Sequence, residues 1–303
     1  MQVFMTGATG YIGGSIAARL IERGHGVTGL VRSDEKAAQL KARGIVPVRG
    51  TLADFSTIVE AAAAADVVIN TANADDSYSV DAIIKGLAGS NKAFIHTSGT
   101  SVVSDRAAGE YSAAVFNEDS PFEPLPERML RVALDRAVLN AAQAGIRAVV
   151  IRPSLIYGRG HGLNPHSVQI PRLIDLARRH GVARHVGRGL NLWSHVHIDD
   201  IVALYLLALE NAPACSLFYA ENGEANFRSV TQSIGRMLGM GDTTKDWPIG
   251  EAVEGLGPGA YLSFGSNSRV RGKRARELGW VPRQGTLFDE IEKGVYAEVY
   301  GKS

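Results

Sequence analysis

Short apolar runs alternate with amphipathic segments through the first half of the chain. The runs lie at 1–6, 27–32, 45–49, 66–72, 93–98 and 148–152, and are built mainly from Val, Ile, Phe and Ala. Segments with helical spacing fill the gaps at 11–23, 34–43, 54–65, 79–88 and 126–144. The runs are continuous rather than alternating, which predicts strands covered on both faces, as in a parallel sheet. Strand–helix alternation then predicts an α/β chain with a Rossmann-type doubly wound parallel sheet and helices on both faces. Gly24 and Gly145 close two of the helices. Pro153 stops the sixth run.

The second half is less regular. It predicts helices at 170–179, 198–210, 228–239 and 269–278 and a strand at 216–220. Asp199 and Asp200 open the second of these helices, where negative charge suits the dipole. No repeat or flexible linker divides the chain. The expected organisation is therefore a dinucleotide domain at 1–157, its sheet completed by 191–221, and a smaller interleaved C-terminal substrate lobe at 158–303.

The first strand runs into Gly7, Gly10 and Gly13 and then into a helix. Gly7 lets the chain turn, Gly10 lets a pyrophosphate approach the backbone, and Gly13 lets the helix pack on the sheet. The helix start holds phosphate through its N–H groups and positive dipole end. Thr9, Tyr11 and Ile12 complete this candidate cofactor loop. In such sheets ligands lie beyond the carboxyl ends of the strands. That adds Thr71, Ala72 and Asn73 after the fourth strand and Thr97 at the end of the fifth.

The 303 residues carry 32 Lys and Arg against 31 Asp and Glu, a net charge of +1. This balance suggests no nucleic-acid partner. Cys215 is the sole cysteine, so an internal disulfide and a cysteine-based zinc cluster are both excluded; it reads as a small buried hydrophobe. No run approaches 18 apolar residues, and the early glycines do not suit a signal peptide, so a cytoplasmic chain without a membrane partner is expected. No metal site is expected.

The end of the second strand bears on the choice of nicotinamide cofactor. A carboxylate there binds the ribose 2′-hydroxyl, whereas an arginine accommodates a 2′-phosphate. Arg32 and Ser33 stand at that end, with Lys36 one turn into the next helix and no acid before Asp34. Arg32 offers a planar donor fork. NADP(H) is favoured over NAD(H).

With these motifs the chain resembles the short-chain dehydrogenase/reductase superfamily, in particular its extended or atypical branch. Thr6 to Gly13 is similar to that branch's cofactor motif. Gly50-Thr51-Leu52-Ala53-Asp54 resembles its adenine-side turn, with Thr51 where aspartate is more usual. Pro153, Leu155, Ile156 and Tyr157 lie in a segment resembling the one that runs along the nicotinamide. Residues 193–200 (WSHVHIDD) resemble the return from the substrate lobe, and 276–282 its C-terminal signature. The resemblance implies an oxidoreductase. Hydride moves between nicotinamide and a carbonyl carbon, a tyrosine hydroxyl moves the matching proton with help from a lysine, and a Ser or Thr hydroxyl binds the substrate oxygen.

The chain departs from this pattern at the proton donor. No Tyr-x-x-x-Lys occurs in it. Glu127 and Arg131 fall where the tyrosine and lysine are expected: Arg131 could hold the nicotinamide ribose and Glu127 could transfer the proton, or the two form an i, i+4 pair on an exposed helix face. Gly99 falls at the usual Ser/Thr position, which leaves Ser98 or Thr100 to bind the substrate oxygen. Tyr157 is a further candidate for the proton, followed by Tyr111, His161 and His166. His195 and His197 alternate in a strand-like run, one of them as a core residue. Asp75 and Asp76 follow the fourth strand, where a polar residue could bridge by water to the site, but they read as solvated loop charges. Leu130, Val132, Leu134, Val138 and Leu139 offer apolar faces for a possible homodimer. Three functions follow: an NADP(H)-dependent oxidoreductase of a small carbonyl or secondary alcohol with a rearranged proton donor, a non-catalytic NADP(H)-binding sensor or regulator, and a nucleotide-sugar epimerase or dehydratase.

Overall fold

In the computed structural model, which describes residues 1–257 and 259–301, the apolar runs form one seven-stranded parallel sheet. In chain order the first elements are β1 (Gln2–Thr6), α1 (Tyr11–Glu22), β2 (Gly26–Val31), α2 (Asp34–Lys41), β3 (Ile45–Arg49), α3 (Phe55–Ala64), β4 (Val67–Asn70), α4 (Ser77–Leu87), β5 (Ala93–Thr97), α5 (Pro126–Asn140) and β6 (Arg147–Pro153). They are followed by β7 (Leu155–Tyr157), α6 (Gln169–His180), β8 (Ala183–Val186), β9 (Leu192–His197), α7 (Ile198–Asn211), β10 (Ser216–Ala220), β11 (Glu224–Asn226) and α8 (Phe227–Met237). The strand order is β10-β6-β5-β4-β1-β2-β3. The order reverses between β1 and β4, and a crevice opens there beyond the carboxyl ends of the strands.

Alternate residues along each strand point to opposite faces. Val3, Met5, Ile69, Ile95 and Val149 meet Ile16 and Leu20 of α1 and Leu204 and Tyr205 of α7. Phe4, Val68, Phe94 and Val150 meet Ile58, Ile83, Leu134 and Val138 of α3, α4 and α5. Each such aliphatic side chain contributes roughly 1.5–3 kcal/mol by leaving water. A separate apolar cluster around Leu173, Trp193, Phe227, Ile234 and Trp247 forms the smaller lobe.

Several local expectations are corrected. Strand β9, expected to help complete the main sheet, instead pairs with β7 and β11 in a three-stranded sheet; β10 takes the edge position beside β6. The predicted helix at 269–278 is reduced to Lys273–Glu277, because Ser268 and Val270 are extended and bridge to Trp193 and Phe116. The long helix ends at Asn140 and tightens into a 3₁₀ turn before Gly145 at φ +69°. Cys215 is exposed, in a turn at φ +62°, rather than buried. Of the apolar side chains on α5, Val132, Leu134 and Val138 are spent on the core, and Leu130 stays exposed. Pro258, within the apolar stretch at 253–264, lies outside the described residues. No helix among the described residues is long and apolar enough to cross a membrane.

Candidate functional site

A cleft of about 360 Å³ opens at the carboxyl ends of β1, β4, β5 and β6. Gly10, Tyr11 and Ile12 form one wall, Ser98 to Ser101 another, and Pro153, Ser154 and Ile156 a third. The smaller lobe closes it with Asn164, Gln169 and Trp193, and Arg131 reaches in from α5.

The glycine loop is shaped by contact. Gly7 has φ +78°, and a Cβ there would lie 2.7 Å from the carbonyl of Thr71. A Cβ on Gly13 would lie 2.3 Å from the Gly7 oxygen and from Thr71 Oγ1. Helix α1 therefore starts against the sheet. Gly10 caps it without a side-chain hydrogen bond, and no acid stands in the first turn. The first N–H groups of a helix lack intrahelical acceptors, so this uncapped start beside the cleft fits a pyrophosphate. The loop at 158–166 lies over α1: Tyr11 Oη donates to the Gly158 carbonyl at 2.9 Å, and the His161 N–H donates to Ser15 Oγ at 3.0 Å. A Cβ on Gly162 would lie 2.5 Å from the Gly14 Cα, so two backbones touch.

The other candidate cofactor residues are dispersed around this loop. Arg32 is exposed and makes no ion pair among the described residues. Ser33 accepts the Lys36 N–H as the cap of α2, and Lys36 Nζ donates to Gln39. Asp34, the acid nearest the strand end, is paired with Arg49 at 3.1 Å. Thr51 donates to Asp54 through both N–H and Oγ1, which holds the Asp54 carboxyl below its usual range. Leu52 packs on the α3 side of the sheet. The Ala72 N–H donates to Asn70, and Asn73 Oδ1 accepts from Asp75 N–H. Thr97 turns its hydroxyl to Tyr205 at 2.6 Å, away from the cleft. Leu155 belongs to the core of the smaller lobe. Thr9 stays partly exposed in the glycine loop.

Beneath the cleft runs a buried polar row. Thr6 donates to Asn70 Oδ1 at 2.5 Å, and Asn70 Nδ2 meets His96 Nδ1 at 3.1 Å. An amide N–H can only donate, so Nδ1 accepts and the His96 proton is assigned to Nε2. Burial, then the Arg131 charge, brings the His96 pKa down to about 4, so the ring is neutral. Its Nε2 stands 3.9 Å from Asp135 Oδ1, and neither atom has a hydrogen-bond partner among the described residues. The other Asp135 oxygen accepts from Ser98 Oγ and from Arg152, each at 2.8 Å. Burial pushes the Asp135 carboxyl up against the pull of Arg152.

The proton-donor candidates separate here. Tyr157 is withdrawn: its hydroxyl donates to the Gly285 carbonyl at 2.7 Å, its ring packs between His195 and His197, and burial raises its pKa. Glu127 is also withdrawn. It lies outside the cleft and pairs with Arg106 rather than Arg131. The N–H of its own helix turn and then Arg106 hold its carboxyl below the usual range, the wrong direction for an acid donor. Tyr111 is exposed against Arg269, His161 pairs with Asp199 at 2.5 Å, and His166 is exposed. His195 and His197 are both buried. Asp76 caps α4. Asp75 is no solvated loop charge: it takes the Arg131 Nε at 2.7 Å and Nη2 at 2.5 Å. Thr100 Oγ1 accepts from Ser268 at 3.1 Å.

Asp135 was not singled out as a site residue from sequence, and Asp75 and Ser101 stood only as a loop charge near the fourth strand and a hydroxyl after the fifth. The signal for Asp135 was present as an acid among the apolar positions of α5, complementary to an arginine ending the apolar run at 148–152. Asp75 and Ser101 carry no such signal, because their role comes from a contact 56 and 30 residues away.

Comparison with known proteins adds to this geometry. The profile of the NAD dependent epimerase/dehydratase family matches residues 3–216. An oxidase of Acremonium sp is 33% identical over 98% of this chain and 97% of its own length. A 2-alkyl-3-oxoalkanoate reductase of Stenotrophomonas maltophilia is 30% identical over 74% of this chain and 71% of its own. The solved UDP-glucose 4-epimerase of Thermotoga maritima superposes with a TM-score of 0.78 over 99% of both chains at 16% identity, a likeness of fold alone.

Proposed function

The chain belongs to the NAD dependent epimerase/dehydratase family of NAD(P)-dependent oxidoreductases, and from that premise we propose that it is an NADP(H)-dependent reductase of small carbonyl compounds. One observation carries the reading: a single cleft joins the uncapped start of α1 to a hydroxyl cluster at 98–101 and a guanidinium. The glycine loop would hold the pyrophosphate, with Pro153 and Ile156 along the nicotinamide. When bound, the dinucleotide supplies the hydride. The hydroxyls, one of them held by Arg131, then stabilise the charge that develops on the carbonyl oxygen.

The lining also bears on the substrate. Arg131 is its one charged side chain among the described residues, and Asp75 already balances it. This suits a neutral or singly charged carbonyl compound better than a sugar diphosphate. The similarity to a 2-alkyl-3-oxoalkanoate reductase points the same way. NADP(H) is supported by Arg32, unpaired at the end of β2, and by Asp34, which Arg49 occupies. A second reading, a non-catalytic NADP(H) sensor, draws support from the Glu127 and Arg131 replacements and from the engaged hydroxyls of Tyr11 and Tyr157.

Titration with NADPH and NADH, together with NADPH consumption on a ketone panel, tests the proposal. A charge-assisted hydrogen bond contributes about 1.5–3 kcal/mol, and exposure of Arg32 puts the effect at the low end. Arg32→Ala should therefore weaken NADPH about tenfold and leave NADH within about twofold. Equal weakening of both refutes the cofactor choice. Tight NADPH binding without turnover of any ketone refutes the reductase and leaves the sensor.

A further inference from the structure

Of the three hydroxyls at 98–101, Ser98 has its proton committed to Asp135. Thr100 has Ser268 as its neighbour and no cation. Ser101 differs from both. Its Oγ accepts the Arg131 Nη1–H at 3.2 Å, and its own hydrogen has no acceptor among the described residues. It is half-buried and lines the cleft.

Arg131 is itself held. Its Nε and Nη2 edge is clamped bidentately by the two Asp75 oxygens at 2.7 and 2.5 Å, leaving Nη1 for Ser101. A two-point guanidinium–carboxylate contact fixes orientation as well as charge. Gly99 lies against the guanidinium, where a Cβ would stand 3.8 Å from Nη1 in ordinary contact. Its φ of −174° is ordinary extended backbone.

We propose that Ser101 is the proton donor of the reductase, with Arg131 as the cation that acidifies it and Asp75 as the residue that positions Arg131. This rests on the reading of the cleft as a carbonyl-reduction site. The carbonyl carbon accepts a hydride, with its two electrons, from the reduced nicotinamide, and the C=O π pair moves onto oxygen. That oxygen takes the Ser101 Oγ proton. The seryl alkoxide, held by the Arg131 N–H, regains a proton from a buffer acid through the open cleft. The products are the alcohol and the oxidised dinucleotide. A hydrogen bond donated to the hydroxyl oxygen favours its anion, and the Arg131 N–H supplies one even though Asp75 offsets the net charge of the guanidinium.

The test uses the whole chain with NADPH and ethyl acetoacetate as the carbonyl probe, and reads kcat, KM and, separately, NADPH affinity by fluorescence. Ser101→Ala should lower kcat about 100-fold, the lower end of general-acid contributions, with KM and NADPH affinity within about threefold. Ser101→Thr keeps the hydroxyl and should recover to within about tenfold of wild type. Asp75→Asn and Arg131→Lys should each lower kcat about tenfold alone, yet add nothing in the Ser101→Ala background, because they act through Ser101. A purely structural role would give additive losses and a matching loss of NADPH affinity. Wild-type turnover with Ser101→Ala within threefold, or a loss confined to KM, overturns this inference alone. An additive Asp75→Asn loss overturns the positioning role. No turnover by wild type overturns the inference together with the reductase reading.

Discussion

Four buried histidines, His96, His185, His195 and His197, make the fold acid-sensitive in a window above that of the carboxylates, because burial lowers the pKa of each. His96 in β5 and His195 in β9 are each brought from 6.5 to about 4 by burial. The unfolded chain therefore binds a proton at each site between pH 6.5 and 4 that the folded chain refuses. Stability rises with pH wherever the unfolded state binds more protons, so acidification through this window is destabilising. Integrating from pH 6.5 to 4.5 gives about 2 kcal/mol per histidine and about 4 kcal/mol for the pair. The perturbation is His96→Gln with His195→Gln, which removes both titrations and places an uncharged polar amide at each position. The assay is urea unfolding at half-unit pH steps, comparing the change in stability with pH rather than its absolute value. Wild type should lose about 4 kcal/mol more across the window than the double variant, in which His185 and His197, also lowered by burial, still titrate. The carboxylates with lowered pKa values, such as Asp75 and Glu224, act below the window and leave the difference intact. The reasoning is refuted if the double variant keeps the wild-type pH dependence.

The remaining predictions concern the ground on which the cleft is built. Asp135→Ala leaves Arg152 buried and unpaired and removes the acceptor of Ser98. It should cost about 3–5 kcal/mol in denaturant unfolding, whereas a loss under about 1 kcal/mol contradicts the buried pair. Gly13→Ala puts a methyl 2.3 Å from the Gly7 oxygen and Thr71 Oγ1, so α1 must shift off the sheet. A stability loss of about 1–3 kcal/mol with greatly weakened NADPH binding is expected, read by thermal unfolding and titration.

Local periodicity carried much of the architecture. Continuous apolar runs this short, bounded by glycines and turn residues, fit strands covered on both faces, and each reappears in the sheet within a residue or two. The same logic fails where a segment's partner is distant. Residues 269–271 have helical composition but extend, because Ser268 and Val270 satisfy their backbone against Trp193 and Phe116. The spacing of Glu127 and Arg131 suggests a mutual pair, but each finds a stronger partner off the helix, Arg106 and Asp75. Tyr157 stands at the right end of a strand, yet its hydroxyl is spent on a carbonyl 128 residues away.

The sequence alone determined the strand–helix alternation, the glycine loop at the end of β1 and the loss of the tyrosine–lysine pair. These are local properties, set by side-chain periodicity, by φ and by residue identity. Only the tertiary structure decided which charges meet: Asp75 clamps Arg131, Arg131 reaches Ser101, and Asp135 binds Ser98 and Arg152. Such pairings follow from how helices and loops remote in sequence pack on one sheet edge. They are selected by desolvation, which makes a buried charge or hydroxyl take whichever partner the fold brings within reach.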